Sequence, residues 1–155
     1  MRRYSMELQR RPHPHPGSQE HTGDLVMALA RRVRRAYADA LAEWHVTPAQ
    51  SRALRVLDSA PGGMRPSTLA EELRIAPRSA TEVVDALEHH GWLRRAADPS
   101  DRRATTLTLT DSGRDLVGRI EQVRLEASER VLDVLTPAQR RTLHEMLTVV
   151  VGEDQ

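Results

Sequence analysis

The chain has 155 residues, 39% hydrophobic and 29% charged, with a formal net charge of +1 and no cysteine. That is enough to bury a core as one domain, or as one domain plus a short appendage. It excludes a disulfide scaffold, a thiolate metal site and a thiol redox switch.

No apolar run reaches the roughly 20 residues of a membrane span. The polar, proline-rich start lacks the apolar stretch of a secretory signal, so a cytoplasmic protein is expected. All 23 basic residues are arginine. Lysine, asparagine and phenylalanine are absent, which reads as the mark of a GC-rich genome. Arginine can nevertheless fork onto guanine or phosphate in a way lysine cannot.

Residues 1–20 hold four arginines and three prolines with no sustained apolar period, which predicts a flexible tail. His13, His15 and His21 have no carboxylate or thiol clustered with them, so no metal site is expected. From Asp24 to Trp44 the period becomes helical: Leu25, Leu29, Val33, Ala36, Tyr37, Ala40, Leu41 and Trp44 fall three and four apart. Thr47-Pro48-Ala49-Gln50 opens a second helix, with threonine as cap, proline at the first position and glutamine three after the cap. Its apolar face is Ala53, Leu54, Leu57 and Ala60, and Pro61-Gly62-Gly63 stops it.

Pro66-Ser67-Thr68 starts a third helix carrying Leu69, Ala70 and Leu73. A turn over residues 74–76 leads to Pro77, the first position of a fourth helix reaching His90, with Gly91 as its C-cap. There Ala80, Val83, Val84 and Leu87 form the buried stripe, and Arg78, Ser79, Thr81, Glu82 and Asp85 face outward. Trp92 to Arg95 reads as a strand, residues 98–101 as a turn, and Ala104 to Thr110 as a second strand with Thr105, Leu107 and Leu109 on one face. Thr110 caps a long fifth helix with Leu116, Val117, Ile120, Val123, Ala127, Val131, Val134 and Leu135 at helical spacing. Thr136-Pro137-Ala138-Gln139 repeats the earlier start signal, and a sixth helix ends at Gly152.

A short helix, a turn, a second helix and a basic hairpin make a winged helix-turn-helix, a helix for the major groove with a loop beside it. The expected fold class is mainly α with a small β-hairpin wing. Residues 96–113, A-A-D-P-S-D-R-R-A-T-T-L-T-L-T-D-S-G, resemble the wing signature of the MarR family of bacterial transcriptional regulators. Residues 69–75 and 83–93 support the resemblance, which covers roughly 24–151. It implies a homodimer whose first, fifth and sixth helices intertwine and whose two lobes straddle a pseudo-palindromic operator. The expected division is a tail over 1–20, a helical dimerisation region over 21–46 and 111–155, and a DNA-binding domain over 47–110. One departure is Ala76, where similar proteins often carry a serine or threonine cap.

The DNA-binding candidates are Arg78, Ser79, Thr81, Arg94, Arg95, Asp101, Arg102 and Arg103. Arg78 can fork onto guanine O6 and N7 or pin a phosphate. Ser79 and Thr81 suit phosphate oxygens at a helix N-terminus. Glu82 can accept from cytosine N4, orient Arg78 or remain solvated. Arg102 and Arg103 suit a narrow minor groove, and Arg94 and Arg95 suit phosphates. By the resemblance, Asp101 and Arg103 are the family's Asp-x-Arg pair, with Asp101 shaping the wing. Such proteins often release DNA when a small aromatic anion binds; the lining candidates here are Tyr37, Trp44, His45 and Arg52, although Tyr37 and Trp44 also fit a core or dimer stripe. No cofactor is expected. No nucleophile elbow, phosphate loop or clustered metal-ligand motif supports an enzyme. The remaining alternative is a winged-helix dimer that binds protein rather than DNA.

Overall fold

A computed structural model describes residues 21–97 and 104–152. The described elements are α1 (Thr22–Ala42), α2 (Pro48–Asp58), α3 (Pro66–Leu73), α4 (Pro77–His89), β1 (Leu93–Ala97), β2 (Thr105–Leu109), α5 (Asp111–Leu132) and α6 (Pro137–Val151). Helices α2 and α6 both start in full capping boxes. Thr47 Oγ1 accepts from Gln50 N–H at 3.2 Å while Thr47 N–H donates to Gln50 Oε1 at 2.8 Å. Thr136 and Gln139 repeat the exchange. Two amides at each start, which the helix itself cannot satisfy, thereby find partners.

Seven of the eight elements each place a fully buried aliphatic side chain at one centre: Leu41, Leu54, Leu69, Leu87, Leu93, Leu107 and Ile120, from α1 through α5 in order. At roughly 1.5–3 kcal/mol per buried aliphatic side chain, this shared cluster is the main cohesive element of the lobe. Helix α1 packs along α5, and α2 sits between them and α3, α4 and β2. Helix α6 has no buried residue. Arg140 ties it to the end of α5 through Glu129 and Asp133.

The hairpin pairs Leu93 with Leu109 and Ala97 with Thr105, antiparallel. It is not isolated on its other side. Met64 bridges Leu107, with Met64 N–H donating to Leu107 O at 3.0 Å and Leu107 N–H to Met64 O at 2.8 Å. The segment between α2 and α3 thus acts as a one-residue third strand. Gly63 makes this possible: its φ is +85°, and a Cβ there would sit 2.4 Å from Thr106 Cγ2. Residues 61–63, predicted only to stop a helix, also deliver the chain to β2.

Several expectations shift. Trp92 is not in a strand but in the joint before β1; its carbonyl accepts from Thr110 N–H at 3.1 Å. Thr105 is exposed while Leu107 and Leu109 are buried, because the packed face ends before the outer end of the hairpin. Helix α5 stops at Leu132, so Val134, expected on its apolar stripe, lies beyond it and is 78% exposed.

Candidate nucleic-acid interface

Helix α3 is capped by Arg74, whose backbone is left-handed at φ 52° and ψ 47°. Its N–H returns to the Ala70 and Glu71 carbonyls, and Ile75 N–H returns to Ala70 O at 3.1 Å. Only a left-handed residue reverses the chain this tightly, and glycine is the usual choice. The sequence has no glycine here, which is why the turn's conformation was not legible beforehand. The reversal puts Pro77 at the start of α4 with the first turn facing solvent. The Ala76 cap contributes no side-chain acceptor.

The described DNA-binding candidates differ in how free they are. The Arg78 side chain is 93% exposed, with Glu82 at 3.5 Å on the next turn. Glu82 therefore sits where it can orient Arg78, one of its three expected roles. Ser79 is exposed. The Thr81 hydroxyl donates back to Pro77 O at 3.0 Å, so its proton is engaged within the helix. Arg94 Nε donates to Thr108 Oγ1 at 3.0 Å across the hairpin, leaving its terminal nitrogens outward.

Arg95, expected as a phosphate contact, is engaged within the protein. One terminal nitrogen lies 2.5 Å from Asp85 Oδ1 and the other bonds Glu88, both on α4. Its side chain is only 32% exposed. The hydrogen bond it donates to Asp85 chiefly, with the charge of Glu88, raises its pKa above the ordinary arginine value against the opposing effect of burial. Asp101, Arg102 and Arg103, together with the tail histidines 13 and 15, lie outside the described residues.

The four ligand candidates do not converge. The Tyr37 hydroxyl is 2.5 Å from Ser51 Oγ. Arg52 donates to Glu72 O at 3.3 Å on α3. His45 is exposed in a left-handed turn at φ 56°. Trp44 lines an open cleft of about 400 Å³ with Glu43, Trp92, Ser112, Asp115, Leu116 and Arg119. The Arg119 guanidinium lies 5.6 Å from the Trp44 ring centre, within cation–π range. Sequence spacing could not find Trp92 and Arg119, because they reach Trp44 only through the packing of α5 and the wing joint on α1. Among the described residues, no three His, Asp or Glu side chains cluster to hold a metal ion. No described helix is long and apolar enough to cross a membrane.

A helix presented after a tight left-handed turn, with a two-stranded wing beside it, defines a winged helix-turn-helix protein. The MarR family model matches residues 46–105, the same lobe. A MarR family protein of Mycobacterium tuberculosis, Rv2887, is 30% identical, with a TM-score of 0.73 over 85% of this chain and 95% of that one. The repressor CouR, solved bound to a 23-mer DNA duplex, is 29% identical at a TM-score of 0.67, over 90% of this chain and all of that one. The regulator PecS of Dickeya dadantii is 32% identical over 57% of this chain. That match spans 53% of PecS, about half its length. The chain belongs to the MarR family, a family of transcriptional regulators rather than enzymes.

Proposed function

We propose that the protein is a repressor that binds a pseudo-palindromic DNA operator as a homodimer in the cytoplasm and is released by a small, aromatic ligand. The observation that carries DNA binding is the outward first turn of α4, with the Arg78 side chain almost fully exposed. Arg78 would read base edges or a phosphate, Ser79 a phosphate, and Arg94 a phosphate from the wing. Arg102 and Arg103 would enter the minor groove, with Asp101 holding the tip. Thr81 would contribute only after its hydroxyl rotates away from Pro77. The DNA-bound state of CouR supports the same use of the lobe here.

The homodimer rests on apolar surface that one chain leaves bare. Leu25, Val26 and Met27 of α1 and Met146, Val149, Val150 and Val151 of α6 are all exposed, and α6 has no fully buried residue. Seven such side chains on two helices exceed the scattered singles usual on a monomer. Residues 21–46 and 111–155 would supply the dimer and residues 47–110 the DNA-reading lobe. For the effector, the cleft at Trp44 is the better candidate, because the Tyr37 hydroxyl and one Arg52 nitrogen are already bonded within the protein while Trp44 lines open space.

The deciding experiment selects bound fragments from genomic DNA with the purified full chain, then titrates the best fragment at several salt concentrations. A repeated half-site in opposite orientations and a steep salt dependence support the reading. Salt-insensitive or absent binding favours the alternative, a winged-helix dimer that docks on protein.

A further inference from the structure

We propose that Arg95 is a positioning residue, a strut whose guanidinium joins wing strand β1 to recognition helix α4 and fixes the pitch of one against the other. Its two terminal nitrogens engage two separate carboxylates, Asp85 at 2.5 Å and Glu88, one turn apart on the same helix face. A planar fork with two separate terminal nitrogens fits that pair; a lysine ammonium, a single point charge on a flexible stem, lacks that fixed geometry. The inference rests on the DNA-binding reading for its purpose, but not for its geometry.

The wing needs such a strut. In β1 only Leu93 is fully buried; Arg94, Ala96 and Ala97 are exposed, and the Arg95 side chain is 32% exposed. Leu93 anchors the near end, and Met64 stitches the middle of β2 from the other edge. Arg94 bonds within the hairpin, to Thr108, and so adds nothing between wing and helix. Among the described residues, Arg95 is the side chain with ion pairs from β1 to α4 beyond the core. Its partial burial makes the pair less screened than a fully exposed one. The strut also offsets part of the negative charge of two carboxylates on the helix proposed to approach phosphates.

The test uses the full chain in three forms: wild type, Arg95→Met, and the double variant Asp85→Asn with Glu88→Gln. Far-UV circular dichroism first establishes that each is folded. The DNA-free readout is amide hydrogen exchange. Both variants should raise exchange in residues 94–97 and 105–108 several-fold, while α2 and α3 keep wild-type protection. The DNA readout is affinity for the selected fragment, and both variants should lose about tenfold, within the range of coupled contacts.

The double variant separates the strut from a direct phosphate contact. It keeps Arg95 and removes two negative charges. If Arg95 simply held a phosphate, the double variant would bind as tightly as wild type or tighter, and Arg95→Met would lower the salt slope by about one. Either result overturns the strut. Raised wing exchange with unchanged affinity also overturns it. If wild type binds no DNA, the repressor reading fails by itself, and the exchange data still decide: unchanged wing exchange in both variants refutes the coupling.

Discussion

Replacing Gly113 with alanine should damage the joint between wing and α5 far more than a helix glycine-to-alanine change normally would. A Cβ at Gly113 would lie 2.0 Å from the Trp92 carbonyl oxygen and 3.0 Å from its carbon. Carbon–oxygen contacts settle near roughly 3.3 Å, so the two segments must part by about 1 Å. The obstacle is backbone and cannot rotate aside. Parting them strains Thr110 N–H to Trp92 O at 3.1 Å, Thr110 Oγ1 to Gly91 O at 2.7 Å and Ser112 Oγ to Gly91 O at 3.0 Å. Overpacking costs about 1–3 kcal/mol, and each weakened hydrogen bond about 1 kcal/mol. Against this, alanine gains roughly 1 kcal/mol over glycine in a helix. The net expectation is a loss of about 3–5 kcal/mol, or a fall in Tm of about 6–20 °C.

Gly118 is the internal control. It lies in the same helix, and a Cβ there meets nothing within 4 Å. Gly118→Ala should therefore stabilise by about 1 kcal/mol, from helix propensity and a less flexible unfolded chain. Thermal unfolding followed by circular dichroism at one fixed protein concentration measures both. If Gly113→Ala melts at or above the wild-type temperature, the close approach does not govern this joint and the reasoning fails.

Arg74→Gly should stabilise the protein by about 1 kcal/mol, since it removes a side chain from a left-handed position; urea titration would show a higher midpoint, and a lower one would mean the Arg74 side chain has packing value. Ala76→Ser should add about 1 kcal/mol by supplying the missing cap acceptor of α4, read in the same titration, and no gain would mean those amides already have a partner. Arg78→Ala should leave stability unchanged, as an almost fully exposed side chain, yet cost about 1–3 kcal/mol in DNA affinity and relax sequence preference; wild-type affinity in a gel-shift titration would remove it from the interface. Val150→Asp should shift sedimentation of the full chain toward the monomer, because it places a charge on an 82% exposed apolar site; unchanged sedimentation would move the dimer surface elsewhere.

The local chemistry was legible in the sequence wherever both partners sit within a few residues. The Thr47–Gln50 and Thr136–Gln139 boxes and the Thr110 cap follow directly from spacing. The apolar stripe of α4 did as well, with Ala80, Val84 and Leu87 buried. The Ala76 departure also proved real, since α4 starts without a side-chain cap. What escaped was set by distant segments meeting. Arg95 reads as one more basic wing residue until Asp85 and Glu88, on another element, come within reach. Met64 lies in no periodic pattern, and a single bridging residue leaves none. The glycine at 113 was visible as part of a family signature, but its reason, the Trp92 carbonyl against it, exists only once the wing has folded back.

Helix α6 has no fully buried residue in its own chain. Fifteen residues are about the length at which an isolated helix is marginal in water. If a second copy covers it, the order of α6 becomes a function of how much protein is present. Below the dissociation constant of the pair, the number of assembled readers would rise with the square of the chain concentration. A twofold change in synthesis would then alter the assembled population fourfold, and a regulator that limits its own expression would sit on the steepest part of that response.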